Sequence, residues 1–231
     1  MSATATTPAP AAPAPRPPRR LGASRGWKVL YLATLLLLLL SVVQLLTGVT
    51  NLTSAGTVAA ALGLSVPIAM AGLGGLWSER SGVVNIGLEG MMILGTFGAG
   101  WAGYQWGPWV GLVVAVCFGA LGGLLHALAT VTFAVDQIVS GVAINILAVG
   151  LTQFLAAELF TGTEGGGATQ SPRIPPMGSV TLPVISSSME ELSKQGIFFI
   201  SDLAGVIAGI TTNVSYITII AILCLVGSWF L

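Results

Sequence analysis

The chain has 231 residues, a formal net charge of zero, 54% hydrophobic residues and only 7% charged ones, with a mean hydropathy of +0.92. A water-soluble domain of this length has too little interior to hide so much apolar surface, so a bilayer-embedded protein is expected, with no nucleic-acid partner. Alternation of apolar and polar residues at the strand period is absent, which argues against a membrane barrel and for an all-α, polytopic transmembrane helix bundle.

Residues 1–26 are rich in Pro, Ala, Ser and Thr and read as a disordered cytoplasmic tail, because such a composition buries too little apolar surface to offset ordering. Arg16, Arg19, Arg20, Arg25 and Lys28 all precede the first apolar run; that asymmetry places the N-terminus in the cytoplasm. Residues 27–231 then form one transmembrane domain. Runs approaching the ~20 residues needed to cross hydrocarbon predict helices at 29–49, 54–77, 83–101, 109–133, 138–160 and 216–231, about six spans.

Trp77 closes the second span, and Trp101, Tyr104, Trp106 and Trp109 gather around Gly107-Pro108, as side chains that prefer the interface do. Glu79, Arg80 and Asp136 read as cytoplasmic boundary residues. Within the third span, Asn85 and Glu89 fall at i and i+4 on one helical face that Met92 continues, while Gly87 and Gly90 loosen the backbone. An ionised carboxylate costs about 2.5–3.5 kcal/mol at the centre of a spanning helix, so Glu89 is expected to meet a partner such as Arg80, or a wet cavity, rather than lipid.

In the fourth span Gly111, Ala115, Gly119, Gly123 and Ala127 recur every four residues and predict a helix-packing face of small side chains. His126 beside it reads as an interfacial side chain. Cys117 and Cys224 have no metal-type spacing and read as small core residues; no metal, cofactor or catalytic residue is expected. In the fifth span Gln137, Gly141, Asn145 and Thr152 form a polar stripe, suited either to interhelical hydrogen bonding or to lining a solute pathway.

Residues 161–215 collect glycines, prolines and charges, and lie outside by the crossing count. A capping box from Ser188 to Glu191, and Ser201-Asp202 at the head of a second apolar stretch, predict short helices in this external loop. The last apolar run ends after about 16 residues, short of an ordinary span, and predicts a chain truncated at its C-terminus.

The run from Gly74 to Met92, GGLWSERSGVVNIGLEGMM, followed by Asp136 to Asn145, DQIVSGVAIN, resembles permease subunits of bacterial ABC importers of the ribose and branched-chain amino-acid type, and within them the nucleoside or simple-sugar uptake subgroup. The resemblance implies a multi-pass plasma-membrane subunit that pairs with a second permease subunit, cytoplasmic ATPase subunits and an external solute-binding lipoprotein. Carried over, it puts Asn85, Gly87, Glu89, Gly90, Met92, Gln137 and Asn145 at or near the path of a small-molecule solute. The chain has no Gly-x-x-x-x-Gly-Lys-Ser/Thr loop, so the implied ATPase is a separate chain and this subunit does no covalent chemistry. An ion-coupled transporter or channel, or a non-transporting membrane scaffold, are the alternatives.

Overall fold

The computed structural model describes residues 23–49 and 51–230. Those residues form an all-α bundle: α1 (Ala23–Thr47), α2 (Ala55–Arg80), α3 (Leu88–Trp106), α4 (Pro108–Ala127) continued by a π turn (Leu128–Thr132), α5 (Gln137–Phe160), α6 (Pro183–Ser193), α7 (Ile200–Thr211) and α8 (Tyr216–Trp229). Two-residue strands β1 (Ser179–Val180) and β2 (Val214–Ser215) pair antiparallel, Ser179 opposite Ser215. The expected tail at 1–26 lies outside the described residues up to residue 22, and Ala23 to Gly26 already belong to α1.

Four helical stretches are long and apolar enough to cross a membrane: Gly26–Thr47, Ala55–Arg80, Pro108–Thr132 and Gln137–Phe160. The 19-residue α3 is not among them. Glu89, Thr96, Gln105 and five glycines dilute its apolarity, and the helix is enclosed between α4 and α5. This polytopic helical architecture is that of a multi-pass membrane protein, and its exposed large side chains are Leu, Ile, Val and Phe along the spanning helices.

Local chemistry sets the helix ends. Ser54 caps α2 by accepting from Thr57 N at 3.3 Å, and Asp136 caps α5, its Oδ1 accepting from Ile138 N at 2.9 Å and Val139 N at 3.0 Å. Such caps contribute about 1 kcal/mol each. Gly107, at φ 93°, turns the chain between α3 and Pro108, the first residue of α4, where a proline lacks nothing by having no N–H.

Several expected boundaries move. The second span runs past Trp77 to Arg80, and the third begins at Leu88 rather than residue 83. Ser188 and Glu191 lie inside α6, which starts at Pro183, so they do not mark a helix start. Ser201 and Asp202 lie within α7, whose first residue is Ile200; the Ser201 hydroxyl accepts from Ile197 N instead, at 2.9 Å. Cys117 and Cys224 are exposed on the bundle's outside, not packed in its core: an apolar helix in lipid shows apolar residues on both faces, so composition does not say which is inward.

The bundle has two distinct ends. One gathers the α1–α2 turn, the α3–α4 turn, residues 161–215 and the start of α8: Trp109 stacks near Tyr216 at 5.8 Å, and Ser171 and Ile174 lie over Gly100 and Gly103. The other gathers the α2–α3 and α4–α5 connections. A small aromatic core of Phe97, Phe118, Phe160 and Tyr104, with ring centroids 5.7–6.0 Å apart, fills the space between α3, α4 and α5.

Candidate functional site

The charged stretch after α2 becomes a break in the membrane bundle. Residues 83–86 carry no helical structure, and their polar groups are taken up by α5. Val84 N donates to Gln137 Oε1 at 2.6 Å, Gly90 N to Asn145 Oδ1 at 2.7 Å, and Asn145 Nδ2 to Ile86 O at 3.1 Å. Asn85 accepts from Gly87 N at 2.9 Å, closing the turn that enters α3, and its amide reaches Met91 Sδ at 3.4 Å. Ser78 Oγ donates to Val83 O at 2.7 Å from the last turn of α2. Non-helical backbone in a low-dielectric setting must satisfy its polar groups within the protein.

This corrects the helical reading of residues 83–87. Asn85 and Glu89 do not share a helical face; Asn85 precedes the helix and Glu89 sits in its first turn. The break also explains the glycines. A Cβ on Gly90 would stand 2.8 Å from Asn145 Cα and from Ile144 O, and one on Gly141 would stand 2.9 Å from Gly87 N. Backbone meets backbone there, which only glycine permits.

The members of the α5 stripe thus divide. Gln137, Gly141 and Asn145 engage the break, whereas Thr152 Oγ1 donates to Ala148 O in its own helix at 2.7 Å. Glu89 and Met92 are exposed on α3 and take no part in these contacts, and Glu79 and Arg80 are exposed at the end of α2. Arg80 and Glu89 form no ion pair; among the described residues the ion pair is Lys194 with Glu190, at 2.9 Å.

On α4 the residues in close approach are Gly111, against Gly103 Cα at 2.9 Å for an added Cβ, then Ala115, whose carbonyl lies 3.2 Å from a Cβ on Gly95, then Gly119 and Gly122 against Met91. Gly123 faces open space and Ala127 is exposed, because a strict four-residue step drifts away from the 3.6-residue turn over this length. One residue back from Ala127, His126 is buried rather than interfacial, its Nδ1 3.0 Å from Ser140 Oγ.

At the opposite end, Asp202 of α7 reaches back to the α1–α2 turn. Its Oδ1 accepts from Gln44 Nε2 at 2.7 Å and from the Thr53 hydroxyl. Partial burial works against its charge, but hydrogen bonds from Ser41, Thr53 and Gln44 outweigh that and hold the carboxyl below the usual carboxylate range. The cluster borders a cavity of about 780 Å³ that Lys194, Glu190 and Phe198 also line. Sequence reasoning took Asp202 for a helix cap and gave Gln44 no role; a glutamine near the end of an apolar run is the signal that pointed to a partner.

A second cavity, of about 520 Å³, lies between α3, α5 and the turn at residues 168–171. Thr96, Thr152, Gln153, Thr169, Gln170 and Ser171 supply its polar groups. Gln153 was missed because it stands one residue off the stripe, on the exposed side of α5. Among the described residues, no group of three or more His, Cys, Asp or Glu is placed to hold a metal ion.

Comparison with known proteins identifies the fold's relatives. The family described as branched-chain amino acid transport system / permease component matches residues 57–231. The chain is 38% identical over 182 residues to the guanosine ABC transporter permease protein NupQ of Bacillus subtilis, covering 75% of this chain and 50% of that protein. It is 42% identical over 99 residues to the nucleoside ABC transporter permease protein NupC of Lactococcus lactis, covering 39% of this chain and 31% of that protein. With the putative glucose ABC transporter permease protein TsgC13 of Haloferax volcanii it shares 35% identity over 105 residues, 45% of this chain and 32% of that protein. The chain therefore spans half the length of the first of these relatives and about a third of the other two. No solved structure matches it.

Proposed function

The chain belongs to the branched-chain amino acid transport system / permease component family, and from that premise we propose that it is a membrane-spanning permease subunit of an ATP-driven importer of nucleosides or related small polar solutes. The observation that carries this reading is the non-helical connection at residues 83–87 between α2 and α3, held by Gln137 and Asn145 of α5, within a family match that covers most of the chain. Non-helical backbone packed inside a membrane protein presents polar groups that continuous helices would hide, and transporters use such groups beside a solute. The relatives named for guanosine and nucleosides support the solute class.

In this reading the subunit works by alternating access: closure of separate cytoplasmic ATPase subunits rocks two paired permeases around the path, and an external solute-binding lipoprotein delivers the solute. Glu89 and Met92, exposed on α3, face the path. Asn85, Gly87, Gly90, Gln137 and Asn145 shape its wall by holding the break closed. Glu79, Arg80 and Asp136 mark the cytoplasmic boundary, which makes the Asp202 end the external one and gives about six crossings.

The test is uptake of radiolabelled guanosine by cells carrying the complete importer and no other nucleoside transporter. Uptake should stop when the partner ATPase is inactivated. Uptake that survives ATP depletion and collapses with the ion gradient would make the protein a secondary transporter instead, and no uptake of any solute would leave it a scaffold.

A further inference from the structure

The spanning helix α5 carries a carboxamide that no group among the described residues satisfies. Gln153 lies seven residues, about 10 Å of helix rise, from the end of α5 at Phe160, so it sits inside the outer half of the bundle. It is exposed, and among the described residues its amide makes no hydrogen bond. Across the gap on α3, Thr96 is likewise exposed; its hydroxyl donates to Met92 O at 2.8 Å and keeps its lone pairs free. Above them Gln170, which closes a turn through its bridge to Gly167, is also exposed and its amide is unbonded among the described residues. Hydrocarbon offers Gln153 no partner, and an unpaired carboxamide in lipid is costly.

Their arrangement has the make-up of a small-molecule site. The cavity volume of about 520 Å³ falls within the ~300–1,000 Å³ typical of such sites. Its walls combine the apolar Ile93, Phe97 and Phe160 with two amides and several hydroxyls, and no charged residue lines it. A zwitterionic amino acid would find no counter-charge there. A carboxamide offers a donor and an acceptor side by side, the complement of the donor–acceptor edges of nucleobases, and the apolar walls suit the faces of a planar ring.

We propose that the α3–α5 cavity is the base-binding part of the solute path: Gln153 and Gln170 pair with the edge of a purine or pyrimidine ring, Thr96 accepts from it, and Ile93 and Phe97 flank it. This deepens the nucleoside-importer reading and rests on it. The ring enters from the Asp202 end, under the 168–171 turn, and moves along α3 toward Glu89.

The complete importer tests this by the KM for guanosine and cytidine uptake. Gln153→Leu should raise KM roughly five- to hundredfold, the range expected for losing a two-point base contact, and should change the preference between the two nucleosides, with maximal rate nearly unchanged. Phe154→Leu, on the neighbouring exposed position, should leave both constants as they were. A Gln153→Leu importer with wild-type KM and preference would overturn the base site while leaving the importer reading intact; a wild-type importer that takes up neither nucleoside would overturn the base site together with the nucleoside part of that reading. Should Gln153→Leu fail to assemble, Gln153→Cys in a Cys117→Ala, Cys224→Ala background decides the matter with a membrane-impermeant thiol reagent. Modification slowed at least about fivefold by guanosine supports the site; no modification, or modification that guanosine does not slow, overturns it.

Discussion

Gly90→Ala is the most direct probe of the break. A methyl on Gly90 would stand 2.8 Å from Asn145 Cα and Ile144 O and 2.9 Å from Asn145 Oδ1, and two of these atoms are backbone that no rotamer change can move. Helix α3 must therefore back away from α5. Overpacking of this kind costs about 1–3 kcal/mol, and the retreat stretches the bonds from Gly90 N to Asn145 Oδ1 and from Asn145 Nδ2 to Ile86 O, each worth roughly 0.6–1.7 kcal/mol inside a membrane protein. Alanine recovers about 1 kcal/mol of helix propensity, leaving a net loss of roughly 1–5 kcal/mol. Gly123→Ala is the matched control, since a Cβ there meets nothing within 4 Å and should be neutral or stabilising. Thermal unfolding of the detergent-purified protein reads the difference. Equal midpoints for the two variants would show that α3 and α5 do not approach backbone to backbone, and the account of the break would fail with them.

Asn145→Leu should lower stability by about 1–3 kcal/mol, by leaving Gly90 N–H and Ile86 C=O unpaired, whereas Thr152→Val, which removes only a bond to its own helix, should stay within about 0.5 kcal/mol; thermal midpoints compare the two. Asp202 carries a pH dependence of definite sign. Its folded carboxyl titrates below the usual range, so its contribution is complete above the unfolded value of about 3.9 and is lost as pH falls through the folded value. The wild-type midpoint should drop on acidification below about pH 4, and Asp202→Asn should blunt that drop while being less stable at neutral pH; parallel pH profiles would refute the role of the cluster. Ser140→Ala should cost about 1–3 kcal/mol in the same assay by stripping buried His126 of its Nδ1 partner.

The spanning helices were readable in the sequence because lipid demands long apolar runs, and the starts of α2, α5 and α8 agree with expectation to within a residue. The capping by Ser54 and Asp136 reinforces hydropathy there. What hydropathy could not mark is the break. Val83, Val84 and Ile86 are as apolar as any helical residue, and only the tertiary bonds from Gln137 and Asn145 favour the extended backbone over the helix. The same limit explains Asp202: a Ser-Asp pair before an apolar stretch has the local chemistry of a cap, and its true partners lie 158 and 149 residues away in sequence. Period alone misplaced Gly123 and Ala127, since four-residue spacing follows a helix face for only a few turns. The polar stripe of α5 was visible, but its division into residues that hold the break and a residue that bonds only its own helix depends on where α3 lies.

The satisfied break bears on how such a subunit moves. With Gln137 and Asn145 tied to residues 84–90, and with α3 and α4 in glycine-mediated backbone contact at Gly111 and Gly119, α3, α4 and α5 are joined by interactions that are costly to separate. α2 is different: it buries no residue, meets the side chain of Leu88 of α3 near Gly74 and Gly75, and lies against α7 at Val58, where Gly209 allows close approach. Few buried contacts mean a low cost of local rearrangement. Relative motion within this subunit therefore costs least along the seam between α2 with α7 and the α3–α5 body. The break acts as a rigid elbow at one end of that seam, and the Asp202 cluster, joining α7 to the α1–α2 turn, keeps the opposite end of the moving part together.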